Sequence, residues 1–85
     1  MNNQTDRLIV RRVFRSSTLK GLPKWRIDAD YANGTALGFQ ATTLNALKAS
    51  MCDRARVTGR EIDLTWFEGP AGKYIADVQL VEQPI

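Results

Sequence analysis

The sequence predicts a mostly β domain: a small barrel of five strands with one helix between the third and fourth. Three observations carry this. Five segments are rich in β-branched and aromatic residues, and most alternate in polarity. One segment, Leu44, Leu47, Met51 and Ala55, instead spaces its apolar residues by three, four and four. Turn residues, Asn33-Gly34 and Gly69-Pro70-Ala71-Gly72, stand between the alternating runs.

The first strand is Arg7 to Arg15, RLIVRRVFR. Leu8, Val10 and Phe14 share one face, with Ile9 and Val13 opposite. Arg12 interrupts the first face, and a bulge would reconcile it. Residues 16–23 have a loop composition. Lys24 to Tyr31 alternates cleanly. Trp25, Ile27, Ala29 and Tyr31 oppose Lys24, Arg26, Asp28 and Asp30. Asn33-Gly34 predicts a tight type I′ turn. Thr35 to Ala41 follows, with Leu37, Phe39 and Ala41 on its apolar side.

Thr42-Thr43 reads as the helix cap, and Gly59 as its left-handed end. In the fourth strand, Glu61 to Glu68, Ile62, Leu64 and Trp66 oppose Glu61, Asp63, Thr65 and Phe67. In the fifth, Tyr74, Ala76, Val78 and Leu80 oppose Ile75, Asp77, Gln79 and Val81. The 85 residues suffice for one domain, expected over 7–81. Residues 1–6 are expected as a frayed tail and 82–85 as a short C-terminal one.

Charge is unevenly placed. Residues 1–26 hold seven basic side chains and one acid, net +6, and residues 27–85 hold five and eight, net −3. A basic end of this kind points to a polyanionic partner. No segment approaches the roughly 20 apolar residues of a membrane span, and no apolar signal core opens the chain. The single cysteine, Cys52, lies in the helical segment and reads as a buried structural thiol. A reducing, cytoplasmic setting fits it.

Catalysis finds little support. The chain has no histidine, and a lone cysteine builds no thiolate metal site. Asp28 and Asp30 read as solvated acids on a polar strand face. The expectation is a non-enzyme without cofactor or metal. Gly69-Pro70-Ala71-Gly72-Lys73 resembles the end of a phosphate-binding loop in letters only. That loop needs two more residues between its glycines, a Ser or Thr after the lysine, and a following helix. The GXXG clamp of KH domains lies between helices, whereas this connector joins strands. It reads as a hairpin turn.

The order strand, strand, strand, helix, strand, strand resembles the OB-fold, a five-stranded Greek-key barrel. The resemblance covers about residues 7–81, carried by KWRIDADYANGTALGF and EIDLTWFEGPAGKYIADV. These look like small bacterial or phage OB proteins that bind single-stranded nucleic acid. The resemblance implies a ligand path across strands two and three, between the loop joining strands one and two and the loop joining strands four and five. Arg15, Lys20, Lys24 and Arg26 cluster around the first loop and Lys73 enters from the second, so these five are the expected phosphate contacts. Phe67, Trp25 and Tyr74 are the expected base-stacking residues, although Trp25 and Tyr74 sit on the more apolar faces of their strands. The partner implied is single-stranded DNA or RNA. The rival reading is a protein-interaction or assembly module of a phage or mobile-element complex without nucleic-acid binding, with open strand edges and the apolar side of the first strand, Ile9 and Val13, available to pair subunits of a homo-oligomer.

Overall fold

The computed structural model describes residues 2–17, 20–70 and 72–82. Thr18 and Leu19 of the expected first loop, Ala71 of the connector, and 83–85 of the C-terminal tail lie outside the described residues. The strands are β1 (Gln4–Ser17), β2 (Pro23–Tyr31), β3 (Gly38–Thr43), β4 (Glu61–Gly69) and β5 (Gly72–Leu80), with helix α1 (Ala46–Thr58) between β3 and β4. They close a barrel in the order β1-β2-β3-β5-β4, with β4 returning to β1. The expected class, a mostly β OB-fold-like barrel with one helix before strand four, is the observed one.

Strand β1 is shared between two partners. Its first part, Gln4–Ile9, pairs with β4, and Leu8–Ser17 pairs with β2. Residues 4–6 are therefore sheet, not the frayed tail expected of them. Side chains fix them there: the Thr5 and Thr65 hydroxyls are 2.8 Å apart, and the Trp66 indole N–H donates to Asp6 Oδ2 at 2.8 Å. Arg7 adds a two-pronged pair to Asp63, both contacts at 3.0 Å. That guanidinium holds the Asp63 carboxyl below its ordinary range.

Two bulges decide which way side chains face. The β1–β2 register shifts between Val10 and Arg12, leaving Arg11 without a partner. One extra residue inverts the alternation beyond it. Val13 therefore turns inward to pack against the core, and Phe14 turns out beside Arg26. This reverses the faces expected for both. In the β4–β5 hairpin, Thr65 pairs with Asp77 but Trp66 with Ile75, so Ala76 is the extra residue. Ile75 and Val78 are buried, and Tyr74 faces out opposite Phe67.

The barrel core is Leu8, Val10, Ile27, Ala29, Phe39, Ala41, Ile62, Leu64, Trp66, Ile75 and Val78. Its aromatics meet edge to face, Phe39 with Tyr31 at 5.9 Å and with Trp66 at 6.0 Å between ring centres. Each large apolar side chain buried this way contributes about 1.5–3 kcal/mol.

The β2–β3 connection is longer than a two-residue turn. Gly34 has φ +86°, and among the described residues no other residue type has positive φ, which rules out type I′ for Asn33-Gly34. Instead the Asn33 side chain accepts from the Thr35 N–H at 2.9 Å and its hydroxyl at 2.6 Å. That local turn carries the chain out to an exposed Leu37 before β3 begins.

Helix α1 is capped by Asn45, whose side chain accepts from the Lys48 N–H at 3.1 Å. Thr43 stays in β3, and its buried hydroxyl accepts from the Asn45 N–H at 3.0 Å. Leu44 therefore lies before the helix. Ala49, Cys52 and Ala55 form the buried face, while Leu44 and Leu47 of the expected face are exposed. Small side chains let the helix lie close against the barrel. Gly59 ends it in the left-handed conformation, φ +71°.

Candidate nucleic-acid interface

The outer face of β1, β2 and β3 brings several cations to one groove. Cross-strand pairing sets it. Ser16 lies opposite Lys24, Phe14 opposite Arg26, and Arg26 opposite Thr42. Paired residues share a face, so Phe14, Ser16, Lys24, Arg26 and Thr42 all look outward. The groove opens where β3 and β5 diverge. They are joined by a single parallel bridge, Thr42 to Tyr74, with the Thr42 hydroxyl donating to the Lys73 carbonyl at 3.4 Å. The resulting cavity is about 320 Å³ and takes in Lys24, Arg26, Gln40, Thr42, Gly72 and Lys73 beside Phe14 and Ser16. Among the described residues, none lining it is acidic.

The cations are held in distinct ways. Arg26 Nε donates to Asp28 Oδ1 at 3.2 Å, and its guanidinium carbon is 5.6 Å from the Phe14 ring centre. The Lys73 ammonium stands at the barrel mouth, 4.9 Å from the Trp66 ring and 5.9 Å from Phe39. The ring contacts orient positive charge without neutralising it, since a ring face attracts a cation but carries no net charge, whereas Asp28 offsets part of the Arg26 charge.

The five expected phosphate contacts do not all converge. Lys24, Arg26 and Lys73 line the groove. Arg15 pairs with Trp25 on the other face of β1 and β2, beside the helix, in a separate cavity of about 300 Å³ that includes Ala49 and Asp53. Lys20 is exposed in the loop after β1, next to Gly21 with φ +78°.

The expected stacking residues also divide. Trp25 is half-buried against the core and walls the helix-side cavity, away from the groove. Phe67 and Tyr74 stack on each other on the outer surface, centres 5.6 Å apart and planes 26° apart. Tyr74 also covers Gly69, whose missing side chain leaves room for the ring. Tyr74 reaches a smaller cavity with Lys24, Thr42 and Leu44. The residue that sequence reasoning missed is Phe14. Its outward position depends on the bulge at Arg11, and the alternation of RLIVRRVFR taken alone puts it inside.

The connector is the hairpin turn it resembled, with Gly69 paired to Gly72 and Gly72 at φ +121°. Cys52 is fully buried, and burial pushes its thiol up to about 12. It faces the barrel core and is far from any thiolate chemistry at neutral pH.

These strand connections define an OB-fold-like barrel. No family model matches the chain, and no curated protein matches it in sequence. A solved structure is similar to it in fold: a mutant of the Salmonella typhi PltB homopentamer with Neu5Ac-alpha-2-3-Gal-beta-1-4-GlcNAc glycans. The TM-score is 0.63 at 12% identity, covering 99% of this chain and 93% of that one.

Proposed function

We propose that this protein binds single-stranded nucleic acid along the outer face of β1, β2 and β3, without catalysis. One observation carries the reading: a groove holding Lys24, Arg26 and Lys73 with no carboxylate among its described lining residues. It lies between the β1–β2 and β4–β5 connections, where this barrel architecture takes oligonucleotides and oligosaccharides. Three cations spaced along a groove suit a phosphate backbone better than a neutral sugar. Lys24, Arg26 and Lys73 contact phosphates, and Lys20, exposed in the loop after β1, adds positive charge to that connection. The Phe67–Tyr74 pair, beside the Thr42–Tyr74 bridge, offers a stacking surface. Anisotropy titrations of a labelled oligothymidylate against rising salt test this. Binding should weaken steeply, with a log–log slope of about −0.7 for each phosphate neutralised. Binding indifferent to salt, or none at about 50 μM protein in low salt, would sink the proposal.

A second reading, self-assembly, is favoured by the strand edges. Among the described residues, β1 from Val10 to Ser17 pairs with β2 alone and has no strand on its other side. Such an edge can accept a strand from another copy. The fold relative being a homopentamer agrees with this reading. Val13 takes no part, because it packs inward. A stable oligomer by light scattering, with no shift of a labelled oligonucleotide, would favour this reading over the first.

A further inference from the structure

Phe14 borders a second cavity. Besides the groove already described, the ring lines a space of about 220 Å³ with Arg11, Arg12, Val13 and Arg56. It thus forms a half-exposed aromatic ridge between two basic hollows. Two guanidinium groups lie over the ring: the Arg12 carbon is 5.1 Å from its centre and the Arg26 carbon 5.6 Å. Both arginines lean on one carboxylate, Asp28, at 4.0 and 3.2 Å. Two cations sharing one anion leave a net positive charge beside the ring.

The ion pairs of the second cavity are loosely held. Arg11 meets Asp30 at 2.6 Å and Arg56 meets Asp53 at 2.8 Å, and all four side chains are at least two-fifths exposed. Exposed pairs are worth about 0–1 kcal/mol, so a phosphate can take over the arginines at little cost. The sequence of features is cations, aromatic ring, cations. A single strand has the matching sequence of phosphate, base, phosphate. A base takes its place on the ring by displacing one guanidinium from over it, and the freed arginine, itself flat and cationic, then packs against the base or its phosphate.

We infer that a single strand crosses the Phe14 ridge, stacks one base there, and continues into the second cavity. Arg12 and Arg56 then hold a phosphate beyond the base. This rests on the nucleic-acid reading of the groove and lengthens its footprint past β2 and β3, across β1 towards the end of α1.

The test uses the full chain and a labelled dT12 oligonucleotide. Phe14→Leu keeps apolar bulk and loses the aromatic face, and should weaken binding about five- to 100-fold. Phe14→Tyr should stay within about threefold of the parent. Arg56→Gln should weaken binding and reduce the salt slope by about 0.7. Photo-crosslinking the unaltered protein to 5-iodouracil in the same oligonucleotide should mark Phe14, independently of how any variant folds. Crosslinks confined to Phe67, Tyr74 or Trp25 would overturn the ridge as platform. An Arg56→Gln protein with unchanged slope would overturn the continuation. Either result leaves the groove proposal standing if Lys24→Ala with Arg26→Ala still weakens binding and reduces the salt slope by about 1.4. No binding by the unaltered protein removes both.

Discussion

The Phe14 ring and the Arg26 guanidinium face outward together as a cross-strand pair on β1 and β2, 5.6 Å apart. Arg26 is in turn paired with Thr42 of β3, the residue that bridges to β5. One row of side chains therefore runs across four strands, and the candidate groove follows that row. Its charge comes from Lys24, Arg26 and Lys73.

Removing that charge should change binding and leave the fold alone. Lys24 and Arg26 are outside the apolar core, and the Arg26–Asp28 contact is a partly exposed pair worth little to stability. Lys24→Ala with Arg26→Ala should reduce the salt slope by about 1.4, two phosphate contacts' worth. Thermal melting of the same variant should stay close to that of the parent.

Gly69 is a sharper structural test. A side chain there would overlap the Tyr74 ring. Gly69→Ala must therefore push Tyr74 off its stack with Phe67, an arrangement worth about 0.5–1.5 kcal/mol. With the accompanying strain the loss should reach about 1–3 kcal/mol in denaturant unfolding. In a Tyr74→Ala background the same substitution should cost almost nothing, because the clash is gone. Equal costs in both backgrounds would show that the ring is not what Gly69 accommodates.

The first residues of β1 should matter to stability. Asp6 accepts from the indole N–H of Trp66, a residue only 6% exposed. Asp6→Ala leaves that donor without its partner, at a cost of about 1–3 kcal/mol. Denaturant unfolding followed by tryptophan fluorescence would report it. An unchanged midpoint would mean that the Asp6–Trp66 hydrogen bond adds nothing.

Cys52 gives a pH signature. Burial raises its thiol to about 12 in the folded chain, against about 8.5 when unfolded. The folded form thus binds the proton more tightly. Its stabilising effect is full below about pH 8.5 and is lost as pH rises towards 12. Compared with Cys52→Ala, the parent should lose stability more steeply over that range. At neutral pH a disulfide reagent should react slowly with the native protein and quickly once it is unfolded. Fast labelling of the native form would contradict the burial.

Legibility in the sequence tracked the regularity of each strand. In β2 and β4 alternation runs unbroken, so Ile27 and Ala29, and Ile62, Leu64 and Trp66, were readable as core. Beyond a bulge the parity inverts, and reading period two through Arg11 or Ala76 puts Phe14, Val13, Tyr74 and Ile75 on the wrong faces. A bulge in β1 could be suspected from Arg12, but its position depends on how β2 pairs. The helix was visible and its orientation was not. Leu44 and Leu47 have the right spacing, yet Ala49, Cys52 and Ala55 pack more closely. For the candidate site, Lys24, Arg26 and Lys73 were readable once the strand order was known. Arg15 and Trp25 were drawn in by nearness in sequence, whereas the alternation of β2 turns Trp25 to the helix side and the bulge at Arg11 turns Arg15 there with it.

The most direct test of the central claim is an amide chemical-shift titration of the isotope-labelled protein with dT8 at low salt. The account predicts the largest shifts at Phe14, Ser16, Lys24, Arg26, Thr42, Gly72 and Lys73, the groove residues on four strands. Shifts centred on Trp25, Ala49 and Ser50, around the helix-side cavity, or none at saturating oligonucleotide, would contradict it.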